Sequence, residues 1–259
     1  MTISSLLEPI TGKSGPARLN HANDWMQGRT MYGGASALIA FTQAKRAFPD
    51  LPPLRGAQVG FVAPLGEDIE LSAEIVRQGR NVTQIRSEIY SDGKVALTAF
   101  WLFAAEREAN AERPADTLEP WPGAPSDNEV AMGGQGPSFI QNNFEIRFGQ
   151  SKDVDHGATI RRWARLTEDH ELDPVSKLVL MGDVMPPGAM RIMKRMGPIS
   201  SVNWSFNILD PETRSQDGWY LAENASQHAA AGYSSERLRM WDTEGRQVID
   251  GLQCVAVFG

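Results

Sequence analysis

The chain has 259 residues, of which 41% are hydrophobic and 22% are charged, as in globular proteins with an extensive apolar core. Lys and Arg number 25 against 32 Asp and Glu, and the formal net charge of -7 argues against a surface that follows nucleic-acid phosphates. The single cysteine, Cys254, excludes an intramolecular disulfide and a zinc site built from several cysteines. A local basic pocket for an anionic ligand is compatible with this composition.

Residues 1–15 carry neither the basic segment nor the apolar stretch of a secretory signal. The strongest apolar run, residues 95–105, is about half as long as the roughly 18 residues of a membrane-spanning helix and suits a buried strand. The four histidines are far apart and show no zinc-binding spacing. We therefore expect a cytoplasmic protein without a membrane span, a nucleic-acid partner or a structural metal.

Two helices are predicted along the chain. Residues 34–48 are apolar on almost every face, which predicts a buried helix that an antiparallel sheet would wrap. Residues 173–185 predict a second helix, because Asp173 is a favourable N-cap and Pro174 suits the first helical position. Pro186-Pro187 ends this second pattern.

The segments that follow the two helices indicate an internal duplication. Strands are predicted directly after both helices, near residues 58–62 and 201–209. Gly79 and Gly93 mark two turns 14 positions apart, and Gly232 and Gly245 mark two turns 13 positions apart. An apolar run follows the second turn in both cases. Each half is expected to be a helix followed by an antiparallel meander of at least four strands.

A segment rich in proline and glycine, residues 106–138, separates the two halves. Such a composition disfavours regular secondary structure and predicts a linker. We expect an N-terminal unit in residues 1–105 and a C-terminal unit in residues 139–259.

Short motifs occur in a characteristic order in both halves. Those of the first half are Trp25, Gly28-Arg29, Tyr32-Gly33-Gly34, Leu54-Arg55, Arg77-Gln78-Gly79-Arg80 and Gln84. Those of the second half are Asp173-Pro174, a helix that ends at Asp183, Gly232-Tyr233-Ser234-Ser235 and Gly251-Leu252-Gln253. The order resembles that of acyl-CoA thioesterases of the TesB-like, double hot-dog type. The resemblance implies an α+β fold with two long helices, each wrapped by an antiparallel sheet, and the two sheets joined into one layer.

The resemblance also implies hydrolysis of an acyl-CoA thioester by a water molecule that an Asp, a hydroxyl residue and a Gln hold. These residues correspond to Asp183, Ser201 and Gln253. Ser201 stands where the best-known members have Thr, and Asn203-Trp204 stands where they have Asp-His, so that Ser200 is an alternative to Ser201. The implied partner is acyl-CoA, no cofactor is required, and a homodimer is expected by analogy.

The residues themselves support this chemistry to different degrees. Asp183 follows an apolar helical stretch, where burial would raise its pKa toward that of a useful base, although a solvent-facing helix end is the alternative. Gln253 lies in an apolar strand and points either to solvent or into a pocket. The corresponding place in the first half lies near Phe100, so only the second half carries the polar group. Ser201 is predicted to share one face of its strand with Asn203.

Two further groups are candidates for substrate binding. Tyr32-Gly33-Gly34 at a helix start would leave backbone N–H groups free for a thioester carbonyl. The two glycines equally fit a close contact between the helix and the sheet. Arg191, Lys194 and Arg195 are candidates for contact with the phosphates of CoA, or else form a solvated basic loop.

Two other functions stay open. A non-catalytic protein that binds acyl-CoA would hold its ligand intact, and the departures at Ser201 and Asn203-Trp204 favour it. A 2-enoyl-CoA hydratase would need an Asp and a His close together on one short segment, for which Asp155-His156 is the nearest candidate.

Overall fold

The structure of the protein is a computed structural model that describes residues 2–131, 136–168, 172–212 and 215–258. The α-helices in these residues are α1 (Ile3–Leu7), α2 (Gly33–Ala47), α3 (Ser138–Asn143) and α4 (Pro174–Met181). The strands of the first half are β1 (Gly15–Arg18), β2 (Met26–Gln27), β3 (Thr30–Met31), β4 (Leu54–Phe61), β5 (Asp68–Gln78), β6 (Val82–Ser91) and β7 (Lys94–Ala104). Those of the second half are β8 (Phe144–Phe148), β9 (Thr159–Leu166), β10 (Ile199–Ile208), β11 (Tyr220–Ala230), β12 (Tyr233–Trp241) and β13 (Gln247–Val257).

Eleven strands form one antiparallel sheet in the order β1-β5-β6-β7-β4-β10-β13-β12-β11-β9-β8, and β2 pairs separately with β3. The halves meet where β4 pairs with β10, with Gln58 opposite Ser205. The strand after each central helix lies beside the last strand of its own meander, which gives the order β4-β7-β6-β5 and the order β10-β13-β12-β11. This repeated order confirms the predicted duplication and the double hot-dog architecture with its sheets joined into one layer.

The two central helices pack against each other in opposite directions. The Tyr32 hydroxyl at the start of α2 donates to the Leu180 carbonyl in the last turn of α4, at 2.6 Å. Near the other end of α2, Lys45 Nζ lies 2.7 Å from an Asp173 carboxylate oxygen. The predicted first helix is confirmed, and its residues from Gly34 to Ala44 are buried. No helix in the described part of the chain combines the length and apolar character that crossing a membrane requires.

The second central helix is shorter than the sequence pattern predicts. It ends at Met181, so Asp183 lies in the turn that follows the helix. Gly182 packs against the indole of Trp204, where an added Cβ would be only 2.5 Å from Cζ2. The regular helix thus ends before the chain reaches Pro186-Pro187.

The segment between β7 and α3 covers part of the sheet. Among its described residues, regular structure is limited to the 3-10 helix Pro125–Asp127 and a single bridge from Val130 to Arg147. Residues 132–135 lie outside the described residues. The segment contributes Leu118 and Trp121 to a small apolar cluster on the side of the sheet away from α4. The other members of that cluster are Trp163, Trp219, Leu221 and Trp241.

Candidate active site

Asp183 is held between β13, the last strand of the chain, and the start of α2. Gln253 Nε2, on β13, donates a hydrogen bond of 2.8 Å to Asp183 Oδ1. The other carboxylate oxygen, Oδ2, lies only 2.2 Å from the position that a Cβ on Gly33 would occupy. The carboxylate therefore rests directly against the Cα of Gly33. Three of the residues singled out in the sequence come together at this point.

The environment of Asp183 changes its acidity. Burial raises the pKa of its carboxyl group from 3.8 to about 7, and the hydrogen bond from Gln253 opposes that rise because it stabilises the charged form. The residue as a whole is partly buried. Burial, together with the nearby charge of Asp183, also raises the pKa of Tyr32. A carboxyl group that titrates near neutrality suits general base catalysis at physiological pH.

The start of α2 offers hydrogen-bond donors beside this carboxylate. Tyr32 is the N-cap residue and makes no side-chain cap. Within the described residues, the first-turn N–H groups of Gly33 and Gly34 have no hydrogen-bond acceptor. A Cβ on Gly34 would lie 2.1 Å from the Leu180 carbonyl oxygen, so the two glycines do allow close packing. The same absence of side chains leaves the positive end of the helix open at the site.

The corresponding helix start in the second half is closed. Asp173 caps α4 by accepting a hydrogen bond of 3.1 Å from the backbone N–H of Ser176. Lys45 neutralises the Asp173 carboxylate and holds the pKa of that carboxyl group below its usual value, although burial opposes this effect. Of the two corresponding helix starts, that of α2 is therefore open and has a carboxylate beside it, whereas that of α4 is capped.

The sheet supplies a polar group to this site in the second half alone. Gln253 is 3% exposed and lies eight residues after the turn residue Gly245. Eight residues after the corresponding Gly93 stands Trp101, which is fully buried next to the expected Phe100. The amide of Gln253 therefore occupies a place that is apolar core in the first half.

A β-bulge changes the predicted face of Ser201. Ser201 pairs with Val255 and Asn203 with Cys254, so that Val202 is an extra residue on β10. The bulge puts Ser201 and Asn203 on opposite faces of the sheet, and the prediction that they share a face is wrong. The strict alternation on which it was based does not continue through the extra residue.

Ser201 lies on the same face of the sheet as Gln253, two residue pairs further along the strands. Its hydroxyl makes no hydrogen bond with the described protein residues, Asp183 included. Ser200 is exposed on the opposite face. Asn203 accepts a hydrogen bond of 2.9 Å from the backbone N–H of Cys254 and thereby closes the bulge.

Aromatic side chains line the same place. Trp204 is the partner of Gln253 on β10, is fully buried and stacks on Phe206 with ring centroids 4.2 Å apart. Its indole Nε1 has no hydrogen-bond partner among the described residues. Phe61 lies against Gly33, with its Cζ 3.1 Å from the position of an added Cβ. The carboxylate of Asp183 thus lies in a largely apolar setting, which explains its raised pKa.

The predicted basic group is dispersed and does not contact Asp183. Arg191 Nε donates to the Gly157 carbonyl at 2.8 Å, and its Nη2 lies 3.8 Å from Asp155 Oδ1. Lys194 and Arg195 are exposed and form no ion pair within the described part of the chain. All three follow Asp183 on the segment that leads to β10.

Asp155-His156 lies in an exposed loop between β8 and β9. The Asp155 carboxylate accepts a hydrogen bond from the Gly157 backbone N–H, and the His156 ring lies 3.0 Å from the Ser151 carbonyl. Neither side chain contacts Asp183. The geometry gives no support to a hydratase that uses this pair.

The sequence analysis missed a second buried carboxylate beside Gln253. Glu236 on β12 is the cross-strand partner of Gln253 and is 0% exposed. Its neighbours on the same face of β12 are Ser234, Leu238 and Met240, all of them buried. An alternating pattern with two apolar members was the available signal that Glu236 faces the core.

Two family models match consecutive parts of the chain. Residues 21–104 match the acyl-CoA thioesterase N-terminal domain, and residues 112–257 match the acyl-CoA thioesterase C-terminal domain. The two matches span most of the sequence in the expected order. The chain therefore belongs to the acyl-CoA thioesterase family, and the resemblance to TesB-like double hot-dog proteins is confirmed.

Solved structures share the fold along nearly their whole length. A protein of unknown function with a hot dog fold from Alicyclobacillus acidocaldarius is 20% identical, with a TM-score of 0.81 over 96% of this chain and 97% of that chain. The acyl-CoA thioesterase II TesB2 from Mycobacterium marinum is 15% identical, with a TM-score of 0.75 over 99% and 98% of the two chains. A tesB protein from Mycobacterium avium subs paratuberculosis is 16% identical, with a TM-score of 0.72 over the full length of both. The search among curated proteins gave no match.

Proposed function

We propose that the protein hydrolyses an acyl-CoA thioester to a free acid and CoA. Membership of the acyl-CoA thioesterase family supports the substrate class. The observation that carries the mechanism is the position of Asp183, which contacts both Gln253 and the open start of α2. A base, a group that orients it and donors for a developing oxyanion are what this hydrolysis needs.

In the proposed reaction the ionised Asp183 removes a proton from a water molecule while the water oxygen attacks the thioester carbonyl. Negative charge then develops on the carbonyl oxygen, where the free N–H groups of Gly33 and Gly34 stabilise it. The carbon–sulfur bond breaks, and the departing sulfur takes the proton from Asp183. Gln253 orients the carboxylate throughout. The products are the free acid and CoA, and Asp183 returns to its ionised form without a covalent intermediate.

In this proposal the other predicted site residues bind the water or the substrate. Ser201 faces the same side of the sheet as Gln253 with a free hydroxyl, which suits it to hold the water. Arg191, Lys194 and Arg195 supply positive charge on the segment after Asp183, which suits the phosphates of CoA. A cytoplasmic location, a homodimer and a place in fatty acid metabolism are further predictions.

A non-catalytic acyl-CoA-binding protein is the second candidate. The structure favours it at one point, because Asn203 closes a β-bulge and Trp204 belongs to the buried core. These two residues stand where the resemblance implies the polar pair Asp-His. Such a protein would bind acyl-CoA without releasing CoA.

Free-thiol release from short, medium and long acyl-CoAs tests the proposal. Wild type should turn over at least one of them, and Asp183→Asn should lower kcat about 100-fold or more because the base is lost. Asp250→Asn, on the opposite face of β13, is the matched control and should keep its activity. Turnover that survives in Asp183→Asn would exclude Asp183 as the base. Binding of acyl-CoA by a wild type that releases no thiol would favour the second candidate.

A further inference from the structure

Glu236 is a buried carboxylate that the proposed reaction does not use. Its two oxygens accept hydrogen bonds from the backbone N–H groups of Gly188, at 2.8 Å, and Ala189, at 3.2 Å. The hydroxyl of Ser234 donates a third bond of 2.5 Å. Burying a carboxylate costs free energy unless donors of this kind surround it. The three donors give both oxygens of this buried carboxylate hydrogen-bond partners.

The internal duplication shows that the sheet itself does not require an acid at this position. Glu236 is the cross-strand partner of Gln253, and Ile85 is the cross-strand partner of the corresponding residue, Trp101. Ile85 is fully buried in the first half. The same place in the fold therefore accepts an apolar side chain, and the sheet does not explain why a carboxylate stands at Glu236.

The contacts of Glu236 explain its presence, because they hold the segment that carries Asp183. Gly188 and Ala189 begin the 3-10 helix Gly188–Arg191, whose first residue is five positions after Asp183. The two prolines Pro186-Pro187 stiffen the connection between them. Gly188 also packs closely on the sheet, since an added Cβ would lie 2.0 Å from the Ala158 carbonyl oxygen.

We propose that Glu236 is a positioning residue that fixes the segment from Asp183 to Ala189 over the sheet. This inference rests on the proposed function of Asp183. Two neighbouring side chains on one face of the sheet act together on this segment. Gln253 holds the carboxylate itself, and Glu236 holds the far end of the same short stretch of chain. With both ends fixed, Asp183 stays against Gly33 at the start of α2.

The test compares two replacements of Glu236 that keep its approximate size. Glu236→Met removes both acceptors from the backbone N–H groups, and Glu236→Gln keeps one. In Glu236→Met, hydrogen exchange at the amides of Gly188 and Ala189 should become about tenfold faster or more, because their acceptors are lost. The kcat for acyl-CoA should fall about tenfold with KM nearly unchanged, as for a misplaced base. Glu236→Gln should give intermediate values of both quantities.

Glu223→Gln is the matched control for simple loss of stability. Glu223 is also a buried carboxylate, but it pairs with Arg161 and Arg239 and does not contact the Asp183 segment. This variant should lower the Tm while kcat and the exchange of the Gly188 and Ala189 amides stay as in wild type.

Three results would overturn an assignment. Unchanged exchange in Glu236→Met would show that Glu236 does not hold the segment. Faster exchange with an unchanged kcat would show that the tether has no part in positioning Asp183. A wild type without turnover would instead overturn the proposed hydrolysis, while the exchange measurement would still decide whether Glu236 tethers this segment.

Discussion

Gln253 and Asp183 are 70 residues apart in the sequence and are joined by a hydrogen bond of 2.8 Å. The bond connects β13, the last strand of the chain, to the turn after α4. Two opposing effects act on the pKa of Asp183. Burial favours the protonated form, and the amide donor favours the ionised form. Their balance places the pKa of Asp183 at about 7, and several measurable consequences depend on that value.

The first consequence is a pH-dependent rate. Because ionised Asp183 is the proposed base, kcat/KM should rise as the pH increases through about 7 and then level off. Rates between about pH 5 and about pH 9 on one acyl-CoA, with the residual rate of Asp183→Asn as control, measure this step. A rate that falls with increasing pH over this range would contradict the assignment.

The second consequence concerns stability. The pKa of Asp183 is raised in the folded protein, from 3.8 to about 7, so folding favours its protonated form. This stabilising contribution is fully present below the unfolded-state pKa and is lost as the pH rises through about 7. Asn cannot ionise, so Asp183→Asn should gain stability relative to wild type as the pH rises. Urea unfolding of both proteins at several pH values measures the difference, and a constant difference would refute the prediction.

Removal of the amide donor should shift the rate profile in a known direction. In Gln253→Met the hydrogen bond that lowers the pKa of Asp183 is lost, so this pKa should rise further. The rising limb of the pH–rate profile should move to higher pH, and kcat at neutral pH should fall about tenfold. Gln247→Met, at the partly buried start of the same strand, is the control and should leave the profile in place. A shift toward lower pH would exclude this role for Gln253.

The fold was largely predictable because its helices and turns leave local signals in the sequence. The apolar helix at residues 34–48 and the turns at Gly79, Gly93, Gly232 and Gly245 are local signals, and the structure confirms each. The helix before Asp183 was predicted too long, and Gly182, which follows its last residue, packs against Trp204 from a segment distant in sequence. A local pattern carries no information about such a contact.

The site was predictable in part. Asp183 and Gln253 were identified through a family resemblance, and the structure brings them together. The face of Ser201 was not predictable, because one extra residue in a strand leaves the composition of the pattern unchanged while it reverses every later side chain. The alternating pattern of β12 indicates that Glu236 faces the core, but its partners are backbone N–H groups on a distant segment, which the sequence does not mark.

Two adjacent serines on β10 form a matched pair, because successive residues of a strand face opposite sides of the sheet. Ser201 faces the same side of the sheet as Gln253, and its hydroxyl bonds to none of the described residues, whereas Ser200 is exposed on the opposite side. Ser201→Ala should lower kcat about tenfold, the effect of one lost hydrogen bond to the reacting water, and Ser200→Ala should leave it unchanged. Thiol release measures both. Equal activity of the two variants would remove Ser201 from the mechanism.

Substitution of glycine by alanine at the start of α2 distinguishes an effect on catalysis from an effect on folding. In Gly33→Ala the new Cβ would lie 2.2 Å from Asp183 Oδ2, so the carboxylate must move and lose its alignment with Gln253. A side chain can move more cheaply than backbone, and the fold should therefore persist. We expect kcat to fall about 100-fold, the loss expected when a general base is displaced, while the Tm changes little.

Two other glycines, Gly34 and Gly66, provide the controls for this test. In Gly34→Ala the new Cβ would lie 2.1 Å from the Leu180 carbonyl oxygen, which is backbone, so α2 and α4 must separate and the Tm should fall steeply. Gly66→Ala adds a Cβ with no atom within 4 Å and should change neither quantity. If Gly33→Ala keeps full activity with a wild-type Tm, the carboxylate of Asp183 does not need its place against the start of α2, and the proposed geometry of catalysis is wrong.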